Sequence, residues 1–290
     1  MKYCFCIIMI LLPLRGFSQT PKEIEDHLVS VFSLYNDVAG SYYESRSDTS
    51  EESMYNAMEC IDSMTDIEDS FIDLILDYAN KYPNTLYYDF KDLQKEGVWV
   101  LSSPDKKFRI YRWYVLGGGT MHEERNIFQF ESHGKVYAQW FGSAADDSDN
   151  SNYTDLSAYD SVYCLHFGNK QIYIASYVGI EFGSAFIAGF DFFGIQDSDL
   201  SKELPIVKSH WHTKSWLGME FHPDDTYYNH NDSMPLTYCF DDGKTLLLRR
   251  IDRQGYLIPE YDVYQFKDGF YRKTNRRKFK WPSNIPKPKY

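Results

Sequence analysis

Cysteine is scarce in this chain, with five in 290 residues. Cys4 and Cys6 fall inside the first apolar run, leaving Cys60, Cys164 and Cys239. Three thiols cannot all pair, and a chain this long does not need a disulfide framework. Buried free thiols are the expectation. A Cys164–Cys239 disulfide is the alternative, because both lie in strand-like aromatic runs. Long apolar runs are missing too. Tyr3 to Leu14 is about 12 residues, short of the roughly 20 that cross a bilayer as a helix. No later stretch is long and apolar enough, so the chain is not expected to span a membrane. Familiar catalytic motifs are also lacking. There is no G-x-S-x-G elbow for a nucleophilic serine and no H-E-x-x-H for a zinc hydrolase. Gly117-Gly118-Gly119-Thr120 lacks the Lys-Ser/Thr ending and following helix of a phosphate loop, and reads as a hairpin loop.

Basic charge is in short supply over most of the chain. The whole carries 30 bases and 42 acids, a formal −12. Without Lys2 and Arg15 the balance is −14. Eight bases and no acid lie between Arg272 and Tyr290, which leaves residues 19–271 at a formal −22. Such a body argues against nucleic acid as a partner, since phosphate binding needs basic surface. The tail, 275–290, is basic and proline-containing. It is expected to lie on the acidic body, with contact to anionic lipid or glycan as the alternative.

The first 18 residues read as a secretory signal. Lys2 supplies the charged start and Tyr3–Leu14 the apolar core, with cleavage expected after Ser18. The protein is therefore expected to be exported, to the periplasm or beyond. Residues 19–84 read as a helical region. Thr20-Pro21-Lys22-Glu23 is a capping box with proline at the first helical position. Ile24, Leu28, Val31, Phe32, Tyr35 and Val38 follow at helical spacing, and the helix is expected to end by Gly40. A polar link leads to a second capping box at Thr49. Met54, Met58 and Ile61 then form one stripe, and Ile67, Phe71, Leu74, Ile75 and Tyr78 another. A break near Ser63 would make three helices before Pro83. The methionines are expected to pack into core.

From 85 to 274 the chain reads as an antiparallel β domain. Short β-branched and aromatic runs alternate with Gly/Pro/Ser/Asp clusters. Gly168-Asn169, Asp242-Gly243 and Lys267-Asp268-Gly269 mark hairpins, and Gly189 marks a bulge. The fold class is thus mainly β (α+β): N-terminal helices on a large antiparallel sandwich, barrel or propeller-like domain.

A resemblance enters on the best-patterned stretch. Ser103-Pro104-Asp105-Lys106-Lys107-Phe108-Arg109-Ile110-Tyr111-Arg112-Trp113, then Gly118-Gly119-Thr120-Met121 and Asn126–Phe130, resembles an uncharacterised family of secreted Bacteroidetes proteins. The likeness continues to Val263–Phe266 and Gly269–Tyr271 and so covers most of the chain. Tyr114 departs from it, because the family often carries Asp there. The resemblance implies export. It implies no activity and carries over no functional residue.

Three constellations bear on function. His210-Trp211-His212 places two imidazoles on one face of a strand, and His222 could supply a third ligand. The spacing matches no metalloprotease motif, so no metal is expected, and His210, His212 and His222 are the candidates if one binds. Asp146–Asn150 could collect oxygens for Ca²⁺ but lacks the ordered positions of an EF-hand. No cofactor is expected. Aromatics make up 18% of the chain. Tyr111 and Trp113 share a strand face that could bind a glycan or peptide, or could be core if the sheet is covered on both sides. The favoured reading is a non-catalytic binding or interaction module for a glycan, peptide or protein. The alternative is a metal-dependent hydrolase using the His210–His230 region. N-terminal sequencing of protein from the native host should find Gln19 first. A chain retaining Met1 would overturn the export reading.

Overall fold

The computed structural model describes residues 19–47, 50–115, 123–141, 158–180, 185–202, 204–209, 211–222 and 234–274. The expected signal, the basic tail, the triple glycine at 117–119 and Asp146–Asn150 lie outside them.

Helix α1 runs Pro21–Arg46 and opens on the expected capping box: Glu23 N–H donates to Thr20 Oγ1, and Thr20 N–H to the Glu23 carboxylate. It does not stop at Gly40. Tyr42, one turn from Arg46, is still buried and accepts a hydrogen bond from the Arg46 guanidinium at 3.2 Å. Helix α2 is one unbroken element, Glu51–Lys81, capped by Ser50 rather than Thr49. Ser63 and Thr65 do not start a new helix. Their hydroxyls donate back to the carbonyls of Glu59 and Ile61 four residues earlier, the accommodation such residues make inside a helix. The first half of α2 also departs from expectation. Met54 and Met58 are 63% and 65% exposed, and Ile61 is exposed as well. Ala57 and Cys60 touch the core, but full burial begins at Met64 and continues through Phe71, Ile72, Ile75 and Tyr78.

A 3-10 turn, Pro83–Tyr87, and a short helix α3, Lys91–Lys95, carry the helical region past 84. Helix α3 depends on α1. The buried carboxylate of Glu25 accepts from Asp92 N–H (2.7 Å), Leu93 N–H (3.3 Å) and Tyr88 OH (2.8 Å), so one side chain satisfies the orphan donors of a neighbouring helix.

Among the described residues fifteen strands follow, in three sheets. The first is β1 (Trp99–Ser102), β2 (Phe108–Val115), β3 (Glu123–Ser132) and β4 (Lys135–Trp140), in that order. The second has the order β11-β7-β6-β5, from β11 (Trp216–Phe221), β7 (Phe186–Gln196), β6 (Lys170–Ile180) and β5 (Ala158–Phe167), with β8 (Asp199–Ser201) beside β7. The third has the order β10-β9-β15-β14-β13-β12, from β10 (Thr213–Lys214), β9 (Val207–Lys208), β15 (Phe270–Lys273), β14 (Leu257–Lys267), β13 (Thr245–Ile251) and β12 (Thr237–Phe240). All pairings are antiparallel apart from a contact of β15 with β9 and a bridge between His222 and Tyr256. The Gly168-Asn169 hairpin forms as a two-residue turn between Phe167 and Lys170; the last hairpin turns on Asp268-Gly269 alone, because Lys267 pairs with Phe270 instead of joining the turn. Gly189 is not a bulge. It pairs regularly opposite Gly218, and a Cβ there would lie 2.3 Å from Leu217 O and 2.7 Å from Gly218 Cα. The glycine is needed for close strand approach.

The layers stack as helices, sheet one, sheet two, sheet three. Tyr111, Trp113 and Ile127 on one face of sheet one pack with Phe32, Phe71 and Phe90 of the helical region. Phe108, Ile110, Phe128 and Phe130 on its other face meet Tyr159, Tyr173, Ala175 and Phe193 of sheet two. Ile172, Ile174 and Phe192 then meet Leu246, Leu248 and Tyr271 of sheet three. The fold is mainly β with an N-terminal helical layer. No helix among the described residues is long and apolar enough to cross a membrane. Glu25→Ala should strand buried donors and lower stability by about 2 kcal/mol in urea unfolding; Glu25→Gln, which keeps one acceptor, should lose less. An unchanged midpoint for Glu25→Ala would contradict this capping role.

Candidate functional site

The aromatic row of β2 is core. Trp113 is 0% exposed and Tyr111 is 1% exposed. Trp113 meets Phe71 edge-on with centroids 5.3 Å apart. Tyr111 packs against Phe90 and donates to Gln129 Oε1 at 3.0 Å. Arg109 shares the face and donates to Thr85 O at 2.5 Å. The proposed binding role of Tyr111 and Trp113 therefore gives way to packing, because the helical layer covers them.

The histidine region is divided. His210 and His230 lie outside the described residues. His212 and His222 are both exposed. His212 closes the turn before β10, whereas His222 follows β11 and bridges Tyr256. The six residues of β11, roughly 20 Å of extended chain, run between them. The structure does not bring these two imidazoles together.

The same turn presents a different group. Strands β9 and β10 are joined by a tight loop in which Ser209 N–H donates to His212 O at 2.9 Å. Ser209 Oγ donates to the same carbonyl at 2.9 Å and accepts from Trp211 N–H and His212 N–H. These bonds fix the loop locally, and Trp211 stands 94% exposed at its tip. Trp216, at the start of β11, is 46% exposed and carries Lys214 Nζ 4.9 Å above its ring.

A second feature lies where all three sheets meet. A cleft of about 450 Å³ is lined by the β1–β2 turn (Pro104, Asp105), by β5 (Tyr163, Cys164, His166) and by Cys239–Lys244 of β12 and its turn. That turn has three successive residues at positive φ: Asp241 (56°), Asp242 (50°) and Gly243 (81°). Gly243 is obligatory. Its conformation disfavours a side chain, and a Cβ would lie 3.0 Å from Leu165 Cβ and Ile174 Cδ1. Tyr271 OH of β15 donates to Gly243 O, while Gly243 itself sits against Leu165 of β5 and Ile174 of β6. Asp241 and Asp242 are thereby held at the rim.

At the floor, Cys164 Sγ lies 3.5 Å from His166 Nε2 and 3.9 Å from Asp105 Oδ2. Cys164 and His166 are two apart on β5 and share a face. Asp105 is anchored on both oxygens. Oδ1 accepts from Ser103 Oγ at 2.5 Å and Lys107 N–H at 3.2 Å; Oδ2 accepts from Tyr173 OH at 3.2 Å and from Gln171 Nε2. Gln171 Nε2 is also 3.3 Å from Cys164 Sγ. Burial, with the Asp105 carboxylate beside it, pushes the Cys164 thiol up to about 11. Burial also drives the Tyr173 and Cys239 groups upward. A Cys/His/Asp set suggests nucleophilic catalysis, but this one is arranged against it. The carboxylate accepts from the thiol rather than orienting the imidazole, and burial raises the thiol where an activated cysteine has it lowered. Cys60, Cys164 and Cys239 are all free thiols, with Cys164 and Cys239 lining the same cleft.

No protein-family model, curated protein or solved structure matches the chain. Trp211 and the Asp105–Cys164–His166 group were not singled out from sequence. C-x-H on a strand is a usable signal for two of the three groups. Asp105 is far away in sequence and is delivered by the packing of sheet one on sheet two. Among the described tryptophans, limited oxidation with N-bromosuccinimide and peptide mapping should modify Trp211 first and Trp113 last. Oxidation of Trp113 ahead of Trp211 would contradict this placement.

Proposed function

We propose that this is an exported, non-catalytic recognition module for a glycan, peptide or protein partner, with Trp211 as its main anchor. The observation that carries the reading is a 94% exposed indole beside the Ser209 hydrogen bonds to Trp211 and His212. Leaving so large an apolar group in water forgoes the transfer free energy its burial would supply, on the order of 2–3 kcal/mol for a large side chain. The Ser209 bonds hold the loop in place, so little conformational entropy is lost when a partner covers the ring. Tryptophan is enriched among the residues that dominate binding energies, and its flat face with a polar edge suits sugar rings and peptide surfaces alike. Trp216 with Lys214 extends the aromatic and basic character a few residues along the chain.

The export reading rests on the apolar start of the sequence, and the resemblance to secreted Bacteroidetes proteins agrees with it. The hydrolase alternative needs His210, His212 and His222 to converge, and the separation of His212 from His222 along β11 weighs against it. A glycan and periplasmic-protein array should yield a ligand whose affinity falls about 30-fold or more in Trp211→Ala, the equivalent of about 2 kcal/mol. Thermal stability should not move, because the ring is exposed. Hydrolytic turnover that survives Trp211→Ala and is lost in His212→Ala or His222→Ala would overturn the proposal in favour of the enzyme.

A further inference from the structure

The Asp105, Cys164 and His166 side chains offer one carboxylate oxygen, one sulfur and one imidazole nitrogen, all within 4.8 Å of one another. A tetrahedral zinc ion has bonds of about 2.3 Å to sulfur, 2.0–2.1 Å to nitrogen and 2.0–2.2 Å to oxygen. Those lengths place ligand atoms about 3.3–3.6 Å apart along the edges of the tetrahedron. The 3.5 Å from Cys164 Sγ to His166 Nε2 already has this length, and the 3.9 Å to Asp105 Oδ2 exceeds it by a few tenths. We propose that Asp105, Cys164 and His166 form a three-ligand site for a single borderline-soft divalent cation, zinc foremost, with its fourth position open to the cleft.

Three further observations support a cation here. The ligand types are mixed soft and hard, the set that zinc accepts and that magnesium and calcium do not. The surrounding side chains act as outer-sphere supports: Gln171 and Tyr173 donate to the Asp105 oxygen nearest the thiol, while Ser103 and Lys107 fix the other oxygen. Such partners orient ligands around a metal. The cleft also gathers the carboxylates of Asp105, Asp241 and Asp242 against Lys244 alone, a field that draws cations. On binding, the Cys164 S–H proton leaves to solvent, a sulfur–metal bond forms, and Gln171 keeps its bond to Asp105. This site is separate from the Trp211 loop, so either proposal can fail without the other.

Cobalt(II) is the probe, because it reports thiolate ligation spectroscopically. The untagged chain beginning at Gln19, which contains every described residue, is freed of metal and titrated. One equivalent should saturate a thiolate-to-cobalt charge-transfer band in the near ultraviolet together with intense four-coordinate visible bands, and zinc should displace it. Cys164→Ser should abolish the charge-transfer band. His166→Ala, whose side chain is exposed and carries little folding burden, should weaken cobalt binding at least tenfold. Gln171→Ala should weaken it by about 10–100-fold, as loss of an outer-sphere partner does. Cys239→Ser should leave the spectrum unchanged. A folded chain that shows no charge-transfer band, or a band that survives in Cys164→Ser or in His166→Ala at full affinity, would overturn the site.

Discussion

Two of the three sheets have no face left for water. Sheet one is covered by helices on one side and sheet two on the other, and sheet two is covered again by sheet three. Everything else follows from that double burial. In β2 six of eight positions are apolar or aromatic, and both faces of the strand carry buried side chains. This is why aromatic residues are so frequent and why the Tyr111–Trp113 row is hidden. It is also why the polar groups that do enter, such as Arg109 and Gln129, are tied into bonds with Thr85 and Ala79 at the end of the helical layer.

Much of the architecture could be read from the chain. The capping box at Thr20, the stripe from Ile24 to Tyr35 and the two-residue turn at Gly168 are local signals, and local physics decides them. The misreadings have a common cause. Gly40 looked like a stop, and Ser63 and Thr65 looked like caps for a new helix, yet helices α1 and α2 pack on one another and carry the chain through these positions. Met54 and Met58 looked like core because of their spacing, but spacing shows only that a face exists, not that anything covers it. Gly189 looked like a bulge, whereas its small size serves the close pairing with Gly218.

The candidate sites were harder to see for a different reason. A ligand set assembled from a turn of sheet one and a strand of sheet two exists only once the layers have docked. Cys164 and His166 are visible as a pair, but nothing near them in sequence points to Asp105. The exposure of Trp211 was equally hidden, since a Trp between two histidines reads as strand until the Ser209 bonds turn it into a loop tip. Sequence periodicity reports faces; it does not report what meets them.

The layers also follow the order of the chain. The helical layer is finished by Lys95, sheet one by Trp140, and most of sheets two and three comes after Ala158. Each slab therefore has its partner surface already made when it arrives. A chain with this plan is suited to vectorial folding as it emerges from a pore or a ribosome, because each new hairpin closes short loops before docking on a finished template. The exceptions are informative. Strands β9 and β10 wait for β15 near the far end, so the loop that carries Trp211 would be among the last parts to gain its final support.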